Sequence, residues 1–190
     1  MLVGDVSILA IESAITRAVP NRSQLALGYF VLHVGGKVYG VRALDATMLG
    51  CSFQEVENRL RRRGTHVLPA LADVDAALVA DAYLGAMYRN TPRTGYCGLS
   101  RPAVIDAIHS SAVVWAPDGD EAFDDGSHVL QFDVGDRVRL VAFVNTQTRD
   151  QMVETIREVW LDAVSFYSIL LNWSNEFRNM YSIASKLDPV

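Results

Sequence analysis

Residues 25–44 read LALGYFVLHVGGKVYGVRAL, and the reading of this stretch decides the fold class. Two runs rich in β-branched and aromatic residues, Leu25 to Val34 and Lys37 to Leu44, flank Gly35-Gly36. Paired glycines accept the positive φ angles of a two-residue hairpin turn, so the stretch is expected to be a β-hairpin. That turn sets Val34 opposite Lys37, Leu32 opposite Tyr39 and Phe30 opposite Val41. These residues share one mostly apolar face and leave Tyr29, His33 and Arg42 on the other.

Working outward, a second hairpin is expected over His128 to Asp133 and Arg137 to Val144. A two-residue Gly135-Asp136 loop would mix polar and apolar positions across the strands. An odd-length loop pairs Phe132 with Val138, Leu130 with Leu140, Asp133 with Arg137 and Gln131 with Arg139, and is the expected register. Ala112 to Trp115 reads as a buried strand, and a further run lies around Val153 to Leu161. The apolar segment 2–15 fits either a strand or a short buried helix. Ser52-Phe53-Gln54-Glu55 has the form of a capping box, predicting a helix from Phe53 to Arg63 that buries Phe53, Val56 and Leu60 and stops at Gly64. Further helices are expected from about Asp73 to Tyr88 and from Pro102 to His109, with Pro92 to Gly98 as a loop. Asp162 is placed to cap a long final helix whose Phe166, Leu170, Trp173, Phe177 and Tyr181 recur at three- and four-residue steps. The expected class is α+β: a mainly antiparallel sheet built from hairpins, packed by the C-terminal helix and several shorter ones.

The chain has 190 residues, half of them apolar, which suits one domain over 1–190. No apolar run approaches the length of a membrane span, and Asp5 and Glu12 interrupt the N-terminal apolar stretch, unlike a signal peptide. Cys51 and Cys97 are too few for a disulfide scaffold, so a reducing cytoplasmic setting is expected. The net charge of −5 is unevenly spread: residues 1–95 carry ten basic and eight acidic side chains, residues 96–190 seven and fourteen. No Lys or Arg lies between Arg101 and Arg137, a stretch that holds Asp118, Asp120, Glu121, Asp124, Asp125, Asp133 and Asp136. Such a field repels phosphate backbones and attracts basic partners. Neither nucleic acid nor membrane is expected as a partner.

No pattern announces catalysis. His33, His66, His109 and His128 form no HExxH or Cys/His ligand spacing, and neither glycine-rich phosphate-binding motif is present. No metal or cofactor is expected. A cysteine-dependent hydrolase would need Cys97 with His109 or His128 as base, a pairing that spacing alone does not make. The cluster Arg59, Arg61, Arg62 and Arg63 follows Glu55 and Glu57 on one helix. That order suits the helix dipole and favours Glu55–Arg59 and Glu57–Arg61 pairs. The segment 118–125, DGDEAFDD, lacks the ligand spacing of a calcium loop. It reads either as a solvated loop or as a docking surface for a basic protein, with Phe123 as its apolar anchor. Tyr29, His33 and Arg42 form the competing patch.

Four blocks together resemble the immunity protein 42 family, antidotes to bacterial polymorphic and contact-dependent inhibition toxins. They are Gly4-Asp5 with Ala10-Ile11-Glu12; Gly28-Tyr29-Phe30 with Gly35-Gly36-Lys37 and Gly40; Phe123-Asp124-Asp125-Gly126-Ser127 running through Phe132-Asp133 to Arg137-Val138-Arg139-Leu140; and Phe166-Tyr167, Leu170 and Trp173. The resemblance implies a non-catalytic cytoplasmic protein that binds and occludes one cognate toxin domain. With the charge pattern it points to a cationic, nuclease-type effector, docked on Asp118, Asp120, Glu121, Phe123, Asp124 and Asp125. The alternatives are the Cys97 hydrolase and an adaptor with another intracellular partner.

Overall fold

The structure, a computed structural model, describes residues 1–19, 23–89 and 95–187. Its first sheet grows from the predicted hairpin. Strands β1 (Leu2–Asp5), β2 (Leu9–Ala18), β3 (Ala26–Val34) and β4 (Lys37–Tyr39) lie antiparallel in that order, and the short β5 (Thr47–Met48) also pairs with β3. The undecided N-terminal segment is therefore strand. Gly35 and Gly36 take φ of +56° and +79°, and the register sets Val34 opposite Lys37 and Leu32 opposite Tyr39 as expected. The pairing of Phe30 with Val41 does not form. Gly40 turns the chain away at φ +109°, the Val41 amide donates to the Ala122 carbonyl at 2.8 Å, and β5 takes the place farther along β3.

The remaining elements are α1 (Leu49–Arg61), α2 (Pro69–Ala72), α3 (Ala76–Met87), α4 (Arg101–Ser111), β6 (Val114–Ala116), β7 (Ser127–Val134), β8 (Arg137–Val144), α5 (Arg149–Thr155), β9 (Arg157–Asp162) and α6 (Ala163–Leu187). The expected strand around Val153 thus begins only at Arg157, after the short α5. The Pro92–Gly98 loop lies partly outside the described residues. Helix α1 starts earlier than the capping-box reading predicts. The Gly50 amide finds the Gln24 carbonyl at 2.9 Å, so the loop before β3 caps the first turn and Ser52 is buried inside the helix. A Cβ on Gly50 would stand 2.1 Å from the Ser23 carbonyl, which explains the glycine at this close approach.

Strands β6-β7-β8-β9 form the second antiparallel sheet. Its central hairpin uses the two-residue Gly135-Asp136 turn: Val134 faces Arg137, Phe132 faces Arg139 and Leu130 faces Val141. This corrects the odd-length loop. The rejected register mixed polar with apolar positions, which matters only where one face of a sheet is wet. Here both faces are dry, and strands buried on both sides carry no alternation to read.

Val129, Val138, Leu140 and Ala142 face a core shared with Leu9, Ile11, Phe30, Leu32 and Val34 of the first sheet. Leu130, Phe132, Val141 and Phe143 face a second core under the shorter helices, with Leu71, Val79, Tyr83, Val104, Ile108 and Met152. Asp162 caps α6 as predicted, its Oδ1 accepting from the Ser165 amide at 2.7 Å. The stripe Phe166, Leu170, Trp173 and Phe177 enters the first core, Tyr181 packing beside it. Trp173 meets Phe30 edge-on at 5.1 Å, stacks on Phe177 at 5.2 Å and donates from Nε1 to Ser13 Oγ at 3.0 Å.

Candidate functional site

The acidic segment is an ordered loop pinned at both ends. Asp120 accepts the Ala122 amide at 2.9 Å and so caps a single 3-10 turn, Glu121–Phe123. Asp125 accepts from the Ser127 amide and hydroxyl at 3.0 and 2.9 Å, and from the Gly40 amide at 3.3 Å. Ser127 Oγ also meets the Gly40 amide at 3.2 Å, so the tip of the first sheet holds the loop. A Cβ on Gly40 would stand 2.8 Å from the Ala122 carbonyl, and its positive φ is a second reason for glycine there. Glu121, Asp124 and Asp125 are exposed, Asp118 and Asp120 half-buried. Lys37 lies within electrostatic reach of Asp125.

Phe123 is placed differently from the sequence reading. It is only 4% exposed and meets Phe30 edge-on at 6.3 Å. The ring closes the core beneath the loop and does not project as a surface anchor. Asp133, counted with the acidic field, is also internal. Its carboxylate accepts from the Tyr167 hydroxyl at 3.1 Å, the His66 amide at 3.1 Å and Gln131 Nε2 at 3.1 Å. Burial, reinforced by that carboxylate, pushes the Tyr167 hydroxyl up to about 12.

This network continues to Arg59 of the basic cluster on α1, which forms the expected pair with Glu55. Arg59 is fully buried, donating to Gln131 Oε1 at 2.9 Å and the Val114 carbonyl at 2.7 Å while paired with Glu55 at 2.8 Å. Burial lowers its pKa from the usual arginine range. The spacing held the signal: Ser52, Val56 and Arg59 fall on one helical face. Glu57 takes Arg178 and Ser174 of α6 as partners, each at 2.6 Å, in place of the expected Arg61.

The competing patch, Tyr29, His33 and Arg42, converges on one carboxylate. Glu12 lies opposite Val31 on the outer face of the first sheet and is 8% exposed. It meets Tyr29 Oη at 2.9 Å, His33 Nε2 at 2.9 Å and Arg42 at 2.6 Å. Burial alone would raise its carboxyl, but the bonds from His33 and Tyr29 and the Arg42 guanidinium outweigh that and hold it below the usual glutamate range.

The candidate residues of the hydrolase alternative stand on three separate segments of the chain. Cys97 sits half-buried on a turn at φ +50°, and His109 is exposed near the end of α4. His128 is fully buried, and neither ring nitrogen has a hydrogen-bond partner among the described residues. No group of three His, Cys, Asp or Glu suited to a metal occurs among them either, and no described helix is long and apolar enough to cross a membrane.

The other notable surface feature is a groove of about 610 Å³ between the first half of α1 and the connection from β6 to β7. Ser23, Leu25, Phe53, Glu55, Trp115 and Asp120 are among its walls, with the exposed Cys51 at its lip.

Two antiparallel sheets, a long C-terminal helix and an acidic loop tied down to the tip of the first sheet make up the architecture. The chain belongs to the immunity protein 42 family, which it matches over residues 1–176. Among solved structures it is similar to the crystal structure of CdiI from Burkholderia dolosa AUO158. The TM-score is 0.58 over 93% of this chain and 99% of that one, at 15% sequence identity, a likeness of fold. Curated proteins give no sequence match.

Proposed function

We propose that the protein binds one cognate toxin domain and neutralises it by occlusion, with no catalysis and no cofactor of its own. Membership of the immunity protein 42 family over residues 1–176 carries this reading. The charge pattern refines it toward a cationic, nuclease-type effector. A surface built to hold phosphate is basic, and an acidic loop both steers and competes for such a surface. The docking face is the loop of Asp118, Asp120, Glu121, Phe123, Asp124 and Asp125. Asp120 and Asp125 shape it, Phe123 supports it from beneath, and Glu121 and Asp124 stand free to meet the partner. The outer sheet face offers less, because Tyr29, His33 and Arg42 all converge on Glu12.

The test is association with the C-terminal domain of the toxin encoded beside this gene. Wild type should bind, protect a toxin-exposed cell, and associate more slowly as salt rises. Reversing Glu121 and Asp124 to Lys leaves the capping aspartates in place and should slow association, with a weaker or inverted salt dependence. Absence of binding by wild type overturns the toxin reading. A reversed variant that associates like wild type at both low and physiological salt overturns the docking face.

A further inference from the structure

With Phe123 buried, the acidic loop has no apolar anchor of its own. The centre of a protein interface is nonetheless more apolar than its rim and depleted of charge, and a few side chains seated in pockets carry most of the energy. Immediately beside the loop the surface is concave. Phe53 and Trp115 form apolar walls of the 610 Å³ groove, Glu55 and Asp120 supply two carboxylates, and no Lys or Arg lines it among the described residues. A narrow recess from the same walls reaches Phe123 itself. The walls are held in place. Arg59, buried behind them, pairs with Glu55 at 2.8 Å and lies over the Trp115 ring at 5.2 Å, while Asp120 is fixed by its cap. A pocket whose side chains are already ordered loses little entropy when it is filled.

Building on the toxin-binding reading above, we propose that this groove is the anchor pocket of the interface and receives an arginine or lysine side chain of the toxin. The apolar stem packs against Phe53 and Trp115 while the cationic head reaches Asp120 and Glu55. Long basic side chains divide in this way between apolar and charged surroundings, and arginine also stacks on aromatic faces. The anchor is thus contributed by the partner and the socket by this chain.

Cys51 gives the test a handle that does not depend on charge, because it is exposed at the groove. In a Cys97→Ala background Cys51 is the sole thiol. It is modified either with a fluorescein maleimide or with a small methylthio group, unfolding temperatures are checked, and the toxin C-terminal domain is titrated. The bulky adduct should weaken binding about thirtyfold or more, the loss of a hot-spot contact, while the methylthio adduct changes it little. Bound toxin should in turn protect Cys51 from alkylation. Asp120→Asn keeps an oxygen to cap the turn and should weaken binding about fivefold through the lost charge.

If the maleimide adduct binds with unchanged affinity and Cys51 stays reactive in the complex, the groove lies outside the interface and the proposal fails while the toxin reading stands. If unmodified protein does not bind the toxin, the function proposed above fails first. A dimer of this chain that the adduct dissociates, with toxin affinity unchanged, would make the groove a self-interface and would also overturn the proposal.

Discussion

Replacing His128 by phenylalanine should stabilise the protein increasingly as the pH falls. The ring lies wholly inside the second core, stacked on Phe143 at 5.3 Å and flanked by Tyr83 at 5.1 Å and Tyr88 at 5.4 Å. Burial pushes its pKa down to about 4 from the ordinary 6.5, against a small opposing pull from Asp118 and Asp125. Above pH 6.5 both folded and unfolded chains carry it neutral. Between 6.5 and 4 the unfolded chain takes a proton that the folded chain refuses, so the folded state loses ground as pH falls and levels off below 4. At about 1.4 kcal/mol per pKa unit, moving from pH 7.5 to pH 5 costs roughly 2 kcal/mol through this residue alone.

His128→Phe removes that loss together with the buried nitrogens that lack partners, the latter worth roughly 1–3 kcal/mol before any cost of the larger ring. Urea unfolding of wild type and variant at pH 7.5 and 5 measures the difference directly. His66 is also lowered by burial, but it is common to both proteins and cancels in the comparison. Parallel losses of stability in the two proteins would refute the reasoning.

Trp173→Ala should cost about 3–5 kcal/mol and lower the unfolding temperature sharply, because the indole fills the first core and bonds Ser13. A stable variant that no longer binds would move Trp173 to the interface. Gly40→Ala forces a Cβ against the Ala122 carbonyl and an unfavourable φ, at roughly 1–3 kcal/mol in chemical unfolding. Stability equal to wild type would show that the tie between hairpin and loop matters little. The combined replacement of Cys97 by Ala and of His109 and His128 by Phe should leave protection of a toxin-exposed cell intact. Loss of protection by a folded triple variant would point to catalysis instead.

Local signals were legible wherever the local rule acted alone. The paired glycines set the first turn, Asp162 marked the start of α6, and the aromatic steps marked its buried stripe. Readings failed where a distant segment decided the outcome. The Gln24 carbonyl starts α1 before Ser52 can cap it, and Ala122 draws Val41 away from Phe30. The register of the second hairpin depended on a second layer of helices that makes its outer face dry, which strand alternation cannot reveal. Of the candidate site, the acidic residues were visible as a charge run. The burial of Phe123 and Arg59, and the groove walled by Phe53, Trp115 and Asp120, required the meeting of α1, β6 and the loop.

The attachment of the acidic loop divides labour between its residues. Gly40, Asp120, Asp125 and Ser127 hold the backbone by hydrogen bonds, and Phe123 plugs the core beneath. Glu121 and Asp124 take no share in that holding pattern, and their exposed side chains can change charge or size at little cost to the fold. The loop therefore behaves as an interchangeable face on a fixed mount. In the docking role proposed above, two substitutions at its tip would retune which partner is recognised while the scaffold, its turns and both cores stay as they are.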